Sequence, residues 1–235
     1  MSDAQSTAKN NTLTSIDVRV VVFSLRGDRL QVLLNPDQTP ALAEKWELPG
    51  SRVPEHKSLE ETATESVLRL TGLREAFLEQ LYTYGDTQRH PTGRLISVVY
   101  FAIIPAGAVH ANANPAPYDL DECGAKWFPV DDLPPLAMDH SEVVNYALRR
   151  LRYKLEYTAV GFQLLPENFS LSELQKTYEM ILGEKLDKRN FRRRILEANI
   201  IEETVHLRSG EGRPARLFRY RPDAVAEVKA RRLFP

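Results

Sequence analysis

The stretch that decides the fold runs from Trp46 to Leu73 and reads WELPGSRVPEHKSLEETATESVLRLTGL. Its second part predicts a helix, because Ser58 and Glu61 have the spacing of a capping box and Gly72 follows the last turn as a C-terminal glycine does. Apolar and small residues recur between the two caps at helical spacing, namely Leu59, Thr62, Ala63, Val67 and Leu70. The stretch is therefore a loop that leads into an amphipathic helix.

Strand-like segments lie on both sides of this helix. Runs rich in branched and aromatic residues occupy 14–25, 29–35, 78–86 and 94–104, and a shorter run opens the segment 125–135. The first two runs are separated by Arg-Gly-Asp, which predicts a hairpin. Strands interleaved with a helix predict a mixed α/β domain over residues 14–140. The polar residues 1–13 are expected to form a disordered tail.

Composition excludes several classes of protein. The single cysteine, Cys123, excludes an internal disulfide and a cysteine-based zinc cluster. No window approaches 18 uncharged apolar residues, and the N-terminus lacks the apolar segment of a signal peptide, so we expect a cytoplasmic protein without membrane contact. Residues 1–140 carry 12 Lys/Arg and 19 Asp/Glu, a net charge of −7, whereas 141–235 carry 19 and 13, a net charge of +6. Halves of opposite sign predict two domains, of which the basic one is a candidate for nucleic acid.

The second half begins with helices. Residues 141–157 are predicted to form a connecting helix, capped by Ser141, with an apolar stripe at Val143, Val144, Ala147, Leu148 and Leu151. Within 158–235, Ser170 and Glu173 form a second capping box, Gly183 ends that helix, and Asp187 caps the next. Two helices joined by a short glycine turn predict a helix-turn-helix. Two strands around the basic loop near Gly212 follow, which predicts a wing.

Basic residues lie where such a fold would meet DNA. Phe191, Ile195 and Ala198 have core spacing, so their neighbours near the helix start point outward, where a recognition helix enters the major groove. Arginine suits guanine edges and phosphates, and asparagine suits adenine. The predicted DNA-binding residues are Lys188, Arg189, Asn190, Arg192 and Arg193 on the helix, and Arg208, Arg213 and Arg216 on the wing. The alternative is a basic surface that faces only solvent.

WELPG followed by a helix that ends TGL resembles the signature of the Nudix hydrolases, Gx5Ex7REUxEExGU. In that family, glutamates on one helix face hold the divalent metals that activate water on a pyrophosphate. With Gly72 as the closing glycine, the family's metal and catalytic positions fall on Lys57, Glu65, Ser66, Arg69 and Leu70. The resemblance therefore implies a Nudix-like α/β/α sandwich that has lost hydrolysis and needs no metal or cofactor.

Both halves together resemble the Nudix-related transcriptional regulators of the NrtR type. The resemblance rests on WELPG…TGL, on LAMDH (136–140), on FQLLPENFSLSELQKTYEMILGEKLDKRNFRRRI (162–195) and on GRPARLFRY (212–220). It implies an α+β protein with a C-terminal winged helix-turn-helix. It further implies a homodimeric repressor of genes for NAD biosynthesis or salvage, which binds a palindromic operator and senses ADP-ribose, NAD or ATP.

A pocket that has lost its metals can still bind a phosphorylated effector through fixed cations. Candidates are Arg52, Lys57, Arg89 and Arg94, which lie in the signature loop or around the turn 87–93. Two other functions stay open. One is an active Nudix pyrophosphohydrolase with a DNA-binding appendage, and the other is a sugar-responsive regulator. The sequence leaves the effector, its sign of action, the operator and the dimer interface undetermined.

Overall fold

The structure is a computed structural model that describes residues 14–38, 44–91, 93–105, 124–157, 159–210, 212–221 and 223–224. Within these ranges, the side chains of 156–157, 208–210 and 212–214 are not described. The predicted tail 1–13 and Cys123 therefore lie outside the described residues.

A seven-stranded mixed sheet forms the N-terminal domain. Its strands are β1 (Ser15–Arg26), β2 (Arg29–Pro36), β3 (Trp46–Glu47), β4 (Gly50–Arg52), β5 (Phe77–Tyr84), β6 (Leu95–Ile104) and β7 (Lys126–Pro129). The main order is β3-β2-β1-β6-β5, with β4 paired to β1 and β7 paired to β2. β1 and β6 run parallel, and the other pairs are antiparallel, so the predicted mixed sheet is confirmed.

Helix α1 (Leu59–Thr71) covers one face of this sheet. Ser58 and Glu61 form the predicted capping box, and Gly72 closes the helix with φ 72°. Because side chains alternate along a strand, the even-numbered valines of β1 point to α1. Val18, Val20 and Val22 of β1 are buried in one cluster with Ala63, Val67 and Leu70 of α1.

Helix α2 (His140–Tyr157) covers the opposite face and completes the sandwich. Its predicted apolar stripe is buried against odd-numbered strand residues such as Val21, Phe23 and Phe101. The helix begins at His140, one residue before the predicted cap Ser141, because the Asp139 carbonyl already accepts a hydrogen bond from the Val143 amide at 3.1 Å. The His140 side chain is fully buried. The segment predicted as a connector is thus also a layer of the domain.

The C-terminal domain is a winged helix. It consists of a 3-10 helix (Ala159–Leu164), α3 (Leu171–Leu182), α4 (Lys188–Glu197), β8 (Ile201–Gly210) and β9 (Gly212–Tyr220). Ser170 caps α3 in a capping box with Glu173, Gly183 ends it with φ 79°, and Asp187 caps α4. Backbone bonds between Phe169 and Phe218 tie the start of α3 to the wing. The predicted α+β architecture, a sandwich followed by a winged helix-turn-helix, is therefore confirmed.

The two domains share one apolar core along α2. Leu151 and Leu155 of α2 are fully buried in the same cluster as Tyr178 of α3. Gly161 fits between them, since a Cβ there would lie 2.8 Å from Leu155 and 2.9 Å from Tyr178. Arg152 of α2 also donates to the Ile181 carbonyl of α3 at 2.8 Å. Helix α2 therefore contacts both the sheet and the first helix of the winged domain.

Candidate nucleic-acid interface and effector site

The turn between α3 and α4 is fixed by Glu179. Its Oε1 accepts hydrogen bonds from the Leu186 amide and from Gln175, both at 3.0 Å, and its Oε2 accepts from Lys185 at 3.2 Å. The Leu186 hydrogen bond is the main cause that lowers the pKa of Glu179, so the carboxylate is charged and holds the turn. This turn sets the angle at which α4 leaves α3.

Helix α4 buries one side and exposes a basic side. Phe191 and Ile195 are buried, whereas Lys188, Arg189 and Arg193 are exposed. A recognition helix makes base contacts from residues near its N-terminus. The exposed cations of α4 lie in its first six residues, so the helix can present them to a groove.

Three of the predicted contact residues are held by hydrogen bonds within the protein. Asn190 Oδ1 accepts a hydrogen bond from Arg193 Nη2 at 2.9 Å, which orders both side chains on the outer face. Arg192 turns back to α3, where its Nη2 donates to Ser172 Oγ at 3.0 Å. Its Nε is buried and has no protein acceptor among the described residues. Arg192 thus lies at the α3–α4 junction rather than at the centre of the outer face.

The wing carries the remaining predicted residues. Arg216 is exposed on β9 and pairs across the wing with Glu203, at 3.1 Å. Arg208 faces Ala215 in the register of the two strands. The side chains of Arg208 and Arg213 are outside the described residues. A cation at an exposed wing position can reach a phosphate or the minor groove.

In the N-terminal domain, charged side chains are buried where β1 meets the WELPG loop. Arg19 donates through Nε to Asp17 Oδ2 at 2.7 Å, and through Nη1 to Glu47 Oε2 at 2.5 Å and to the Leu48 carbonyl at 2.9 Å. Burial raises the pKa of Glu47, and the Arg19 charge opposes this shift. Asp17 Oδ1 is buried without a protein donor among the described residues.

The start of α2 joins this cluster through His140. The Leu48 amide donates to His140 Nδ1 at 3.1 Å. Desolvation by burial, with smaller contributions from the Arg19 and Arg89 charges, lowers the pKa of His140 well below its usual value. The imidazole is therefore neutral, and its proton lies on Nε2, because Nδ1 is the acceptor. It links the loop before β4 to the helix that reaches the winged domain.

Arg89 occupies the next position in the same network. Its Nε and Nη2 donate to the two carboxylate oxygens of Asp139 at 2.9 and 2.7 Å, and its Nη1 donates to Ser97 Oγ at 2.5 Å. It also lies 5.9 Å from the centroid of the Tyr84 ring. Burial, followed by the Asp139 charge, raises the pKa of Tyr84 to about 12. The Arg89 side chain is 2% exposed, and its guanidinium donates three hydrogen bonds to protein groups.

The four predicted effector residues fall into two places. Arg52 pairs in register with Asp17, and Asp17 with Ser97, so these three lie in one row across the sheet on the α2 side. Arg94 directly precedes β6 at the same end of the sheet, and its Nη1 is buried without a protein acceptor among the described residues. Lys57 lies before α1 on the other side, where it pairs with Glu65 at 2.6 Å.

Several residues of this site were missed at the level of sequence. They are Asp17, Arg19, Glu47 and Asp139. A usable signal was present for the first two, because charges two residues apart in an apolar strand share a face and need partners when buried. Nothing in the local sequence pairs Asp139 with a residue 50 positions away.

Two acidic residues of α1, Glu61 and Glu65, are engaged in a helix cap and in an ion pair. Glu61 accepts a hydrogen bond from the Ser58 amide, and this bond is the main cause that lowers its pKa. The Lys57 hydrogen bond lowers the pKa of Glu65. Ser66, at a signature position, is buried and donates to the Thr62 carbonyl. Across the residues that the structure describes, no three His, Cys, Asp or Glu side chains gather to hold a metal ion.

Comparisons with known proteins match both halves. Residues 16–147 match the NUDIX domain family, and residues 161–220 match the NrtR DNA-binding winged helix domain family. The ADPR responsive transcriptional repressor NtrR of Acinetobacter baylyi is 33% identical over 207 residues, which is 86% of this chain and 80% of that protein.

Two solved structures of NrtR from Shewanella oneidensis are also similar. One, complexed with a 27mer DNA, has a TM-score of 0.78 and 30% identity, and covers 93% of this chain and 99% of its own. The NUDIX domain complexed with ADP ribose has a TM-score of 0.50 and 28% identity, and covers 63% of this chain and 95% of its own. Among the described residues, no helix is long and apolar enough to cross a membrane.

Proposed function

Because the chain belongs to the NrtR-type family of Nudix-related transcriptional regulators, we propose that it is a DNA-binding repressor that ADP-ribose controls. The proposal includes the family's target genes, those for NAD biosynthesis or salvage, and a palindromic operator bound by a homodimer. The single observation that carries it is the winged helix itself. In its α4, Phe191 and Ile195 are buried on one side, and Lys188, Arg189 and Arg193 are exposed on the other.

The DNA-binding surface consists of the start of α4 and the wing. Arg189, Asn190 and Arg193 are assigned to base edges, since they lie on the outer side of the helix start. Arg216, with Arg208 and Arg213, is assigned to phosphates or the minor groove. Lys188 adds a phosphate contact at the helix start. Support comes from the similarity, over 93% of this chain, to the Shewanella protein complexed with a 27mer DNA.

The effector site is assigned to the end of the sheet where β1, β4 and β6 meet. Arg94 and Arg52 lie there, and a buried Nη1 of Arg94 lacks a protein acceptor, which a phosphate oxygen would supply. Arg89 acts as a positioning residue, because it already binds Asp139 and Ser97. Lys57 remains a secondary candidate that must first leave Glu65. ADP-ribose is preferred to NAD or ATP because the Acinetobacter and Shewanella relatives are named for it or bind it.

The buried polar network gives the effector signal a route to DNA. A ligand at Arg52 and Arg94 lies beside Asp17 and Ser97, and these contact Arg19 and Arg89. Through Leu48 and Asp139 the network holds the start of α2. Farther along α2, Arg152 donates a hydrogen bond to the Ile181 carbonyl of α3. A shift of α2 would therefore move α3 and α4 together, and two recognition helices that move lose the spacing of their half-sites.

We further propose that the N-terminal domain does not hydrolyse its ligand. The signature positions hold Lys57, Glu65, Ser66, Arg69 and Leu70, and the Glu61 and Glu65 carboxylates are engaged in a cap and an ion pair. A metal-dependent Nudix hydrolase needs carboxylates free to bind the metal. Loss of hydrolysis leaves binding as the role of the domain.

The experiment combines binding and turnover on the full-length protein. A thermal-shift panel of ADP-ribose, NAD, ATP and simple sugars is read first, because a ligand at 100 times its Kd adds about 2.7 kcal/mol of stability. ADP-ribose is expected to give the largest shift, and incubation with magnesium or manganese is expected to release no AMP. Turnover at about 1 per second or faster would establish the hydrolase alternative. A shift with sugars alone would establish the sugar-responsive one.

A further inference from the structure

Three tyrosines and an arginine form an exposed surface on α2 and β5. Tyr82, Tyr146 and Tyr153 are 57%, 37% and 56% exposed. The Tyr82 and Tyr146 ring centroids are 6.0 Å apart, and the Arg149 guanidinium lies 5.8 Å from the Tyr146 centroid. We name these four residues the tyrosine surface. Tyrosine and arginine are enriched in the cores of protein interfaces, and a cluster of this kind marks a contact site.

A bulge in β5 aims Tyr82 at this surface. The register between β5 and β6 shifts between Gln80 and Tyr82, so Leu81 is the extra residue. Leu81 packs into the core on the α2 side, and Tyr82, next to it, contacts Tyr146 of α2 as well. Without the bulge, adjacent residues would point to opposite faces of the sheet. The irregularity places an aromatic ring on the surface where a regular strand would have turned it away.

β5 is also an edge strand. Among the described residues it pairs with β6 and with no second strand. Edge strands in monomeric proteins are usually protected against pairing by charges, prolines or covering segments. Here the last residues of the edge are Tyr82, Thr83 and Tyr84, which carry no charge. In the part of the chain that the structure describes, no second strand covers this end of the edge, which is continuous with the tyrosine surface.

The charges on α2 fit a second copy of the same helix. Arg150 and Lys154 are engaged by Glu79 at 3.6 and 2.7 Å, which leaves Glu142 and Arg149 as the exposed charges on either side of Tyr146. In two antiparallel copies related by a two-fold axis between Asn145 and Tyr146, residue 142 of each helix faces residue 149 of the other. The contact then places the two Tyr146 side chains beside each other at the centre, with a Glu–Arg pair on either side.

We propose that the tyrosine surface is the homodimer interface, with the two α2 helices antiparallel across a two-fold axis near Tyr146. The proposal rests on the proposed function only in that a palindromic operator needs a two-fold dimer. From Tyr146 to the end of α2 is 11 residues, so the two helix ends would lie about 33 Å apart. This distance is of the same order as one turn of DNA, about 34 Å. The winged domains would thus be held at opposite ends of one dimer.

The test is sedimentation velocity of the full-length protein without DNA or effector, over a concentration series. Wild type is expected to be a dimer. Tyr146→Glu and Arg149→Glu are expected to weaken dimerisation by about tenfold or more, because each places like or unpaired charges at the centre of the contact. The double exchange Glu142→Arg with Arg149→Glu restores the charge pairs and is expected to recover the dimer. Arg74→Glu, which reverses an exposed charge after α1, is the matched control and is expected to behave as wild type.

Each outcome decides the proposal. A monomeric wild type, or a Tyr146→Glu and an Arg149→Glu variant as dimeric as wild type, overturns it. Failure of the double exchange to recover what Arg149→Glu lost overturns the antiparallel arrangement. Circular dichroism melts check that each variant folds. If Tyr146→Glu does not fold, the comparison of Arg149→Glu with the double exchange decides the proposal. If wild type dimerises through this surface but binds neither DNA nor ADP-ribose, the interface stands and the proposed function fails.

Discussion

Two clusters of buried charged side chains in the N-terminal domain are held together by specific ion pairs. Arg19 holds Asp17 and Glu47, and Arg89 holds Asp139 through both carboxylate oxygens. A buried ion pair adds little net stability relative to apolar residues, but loss of one partner leaves an uncompensated charge. His140 is the member of this network that avoids charge altogether, since burial keeps it neutral. The network is therefore sensitive to protonation.

The first prediction concerns His140 and acid. Its folded-state pKa is lowered below the unfolded value, about 6.5, so the unfolded state binds the extra proton first. Stability is then fully present above about pH 6.5 and falls as the pH decreases, by at most about 1.4 kcal/mol per pH unit for one proton. Urea unfolding at pH 7.5 and 5.5 measures this slope in wild type and in His140→Asn, which keeps an acceptor for the Leu48 amide. In His140→Asn, the free energy of unfolding should depend less steeply on pH, by the contribution of about one proton. Equal pH dependence in the two proteins would show that His140 is not the neutral buried group.

The second prediction concerns Arg94. Its Nη1 is buried without a protein acceptor among the described residues, so an effector oxygen would complete its hydrogen bonds. Removal of a hydrogen bond to a charged group costs about 1.5–3 kcal/mol, so Arg94→Ala should weaken ADP-ribose binding by about tenfold or more. Calorimetry measures this, with Arg74→Ala as the control for loss of an exposed arginine. Binding of effector-free protein to DNA should be unchanged. An unaltered ADP-ribose affinity in Arg94→Ala would remove the residue from the site.

At the scale of elements, sequence predicted what depends on local spacing. Both capping boxes, at Ser58 and Ser170, and both closing glycines, Gly72 and Gly183, are where the residues placed them. These features depend on side chains three or four residues apart and are therefore readable from the chain. The sequence predicted a mixed α/β domain but not which strands pair. The parallel pairing of β1 with β6 joins segments 80 residues apart. Nothing in either strand alone specifies that partner.

The same limit explains the partial prediction of the site. The outward arginines of α4 follow from helical spacing, because Phe191 and Ile195 fix the buried side. Arg89 is predicted to bind an effector from its place in a turn, and that role stays a prediction; within the protein, its side chain donates to Asp139 and Ser97. Those partners come from another segment of the fold. Charge alone could not distinguish an arginine held in a buried pair from one that faces a ligand.

The third prediction concerns Gly50, the first residue of β4. A Cβ at Gly50 would lie 2.0 Å from the Val18 carbonyl oxygen and 2.8 Å from Arg19 Cδ, so β1 and β4 could not keep their pairing. Gly50→Ala should therefore lower the free energy of unfolding by about 2 kcal/mol or more. Gly27→Ala is the matched control. That glycine has φ +66° and no atom within 4 Å of a Cβ, so the change should cost only about 1 kcal/mol of backbone strain. Urea denaturation measures whether Gly50→Ala loses more free energy of unfolding than Gly27→Ala. Equal losses in the two variants would contradict the prediction.

The fourth prediction separates α4 from the wing. Arg193 lies on the outer side of α4, so Arg193→Ala should cost about 1–3 kcal/mol on the preferred site and relax specificity at one position. Arg216 on the wing should act on all sequences alike, and Arg216→Ala should lower the steepness of the salt dependence by about one. Both variants are titrated by anisotropy at several salt concentrations. The two DNAs are a site selected from random duplexes and its scrambled form. If both variants bind both duplexes as wild type does, the basic half is only a solvated surface.

At the scale of the whole molecule, helix α2 is the element common to every function. Its start is held by His140 and Asp139 in the polar network, its middle lies in the tyrosine surface, and its end contacts α3 through Arg152. A ligand that changes the network acts on a helix packed against both domains. Since close-packed elements move as units, we expect the proposed effector site to be coupled to α4.

Coupling of this kind must be reciprocal. If ADP-ribose weakens DNA binding by a given factor, DNA weakens ADP-ribose binding by the same factor, typically through about 1–3 kcal/mol. The most direct measurement is a pair of titrations on one protein sample. Anisotropy gives the affinity for a selected duplex with and without saturating ADP-ribose, and calorimetry gives the affinity for ADP-ribose with and without the duplex. The account predicts that ADP-ribose reduces DNA affinity by about 5- to 150-fold and that the two factors agree. DNA affinity unchanged by bound ADP-ribose would contradict it.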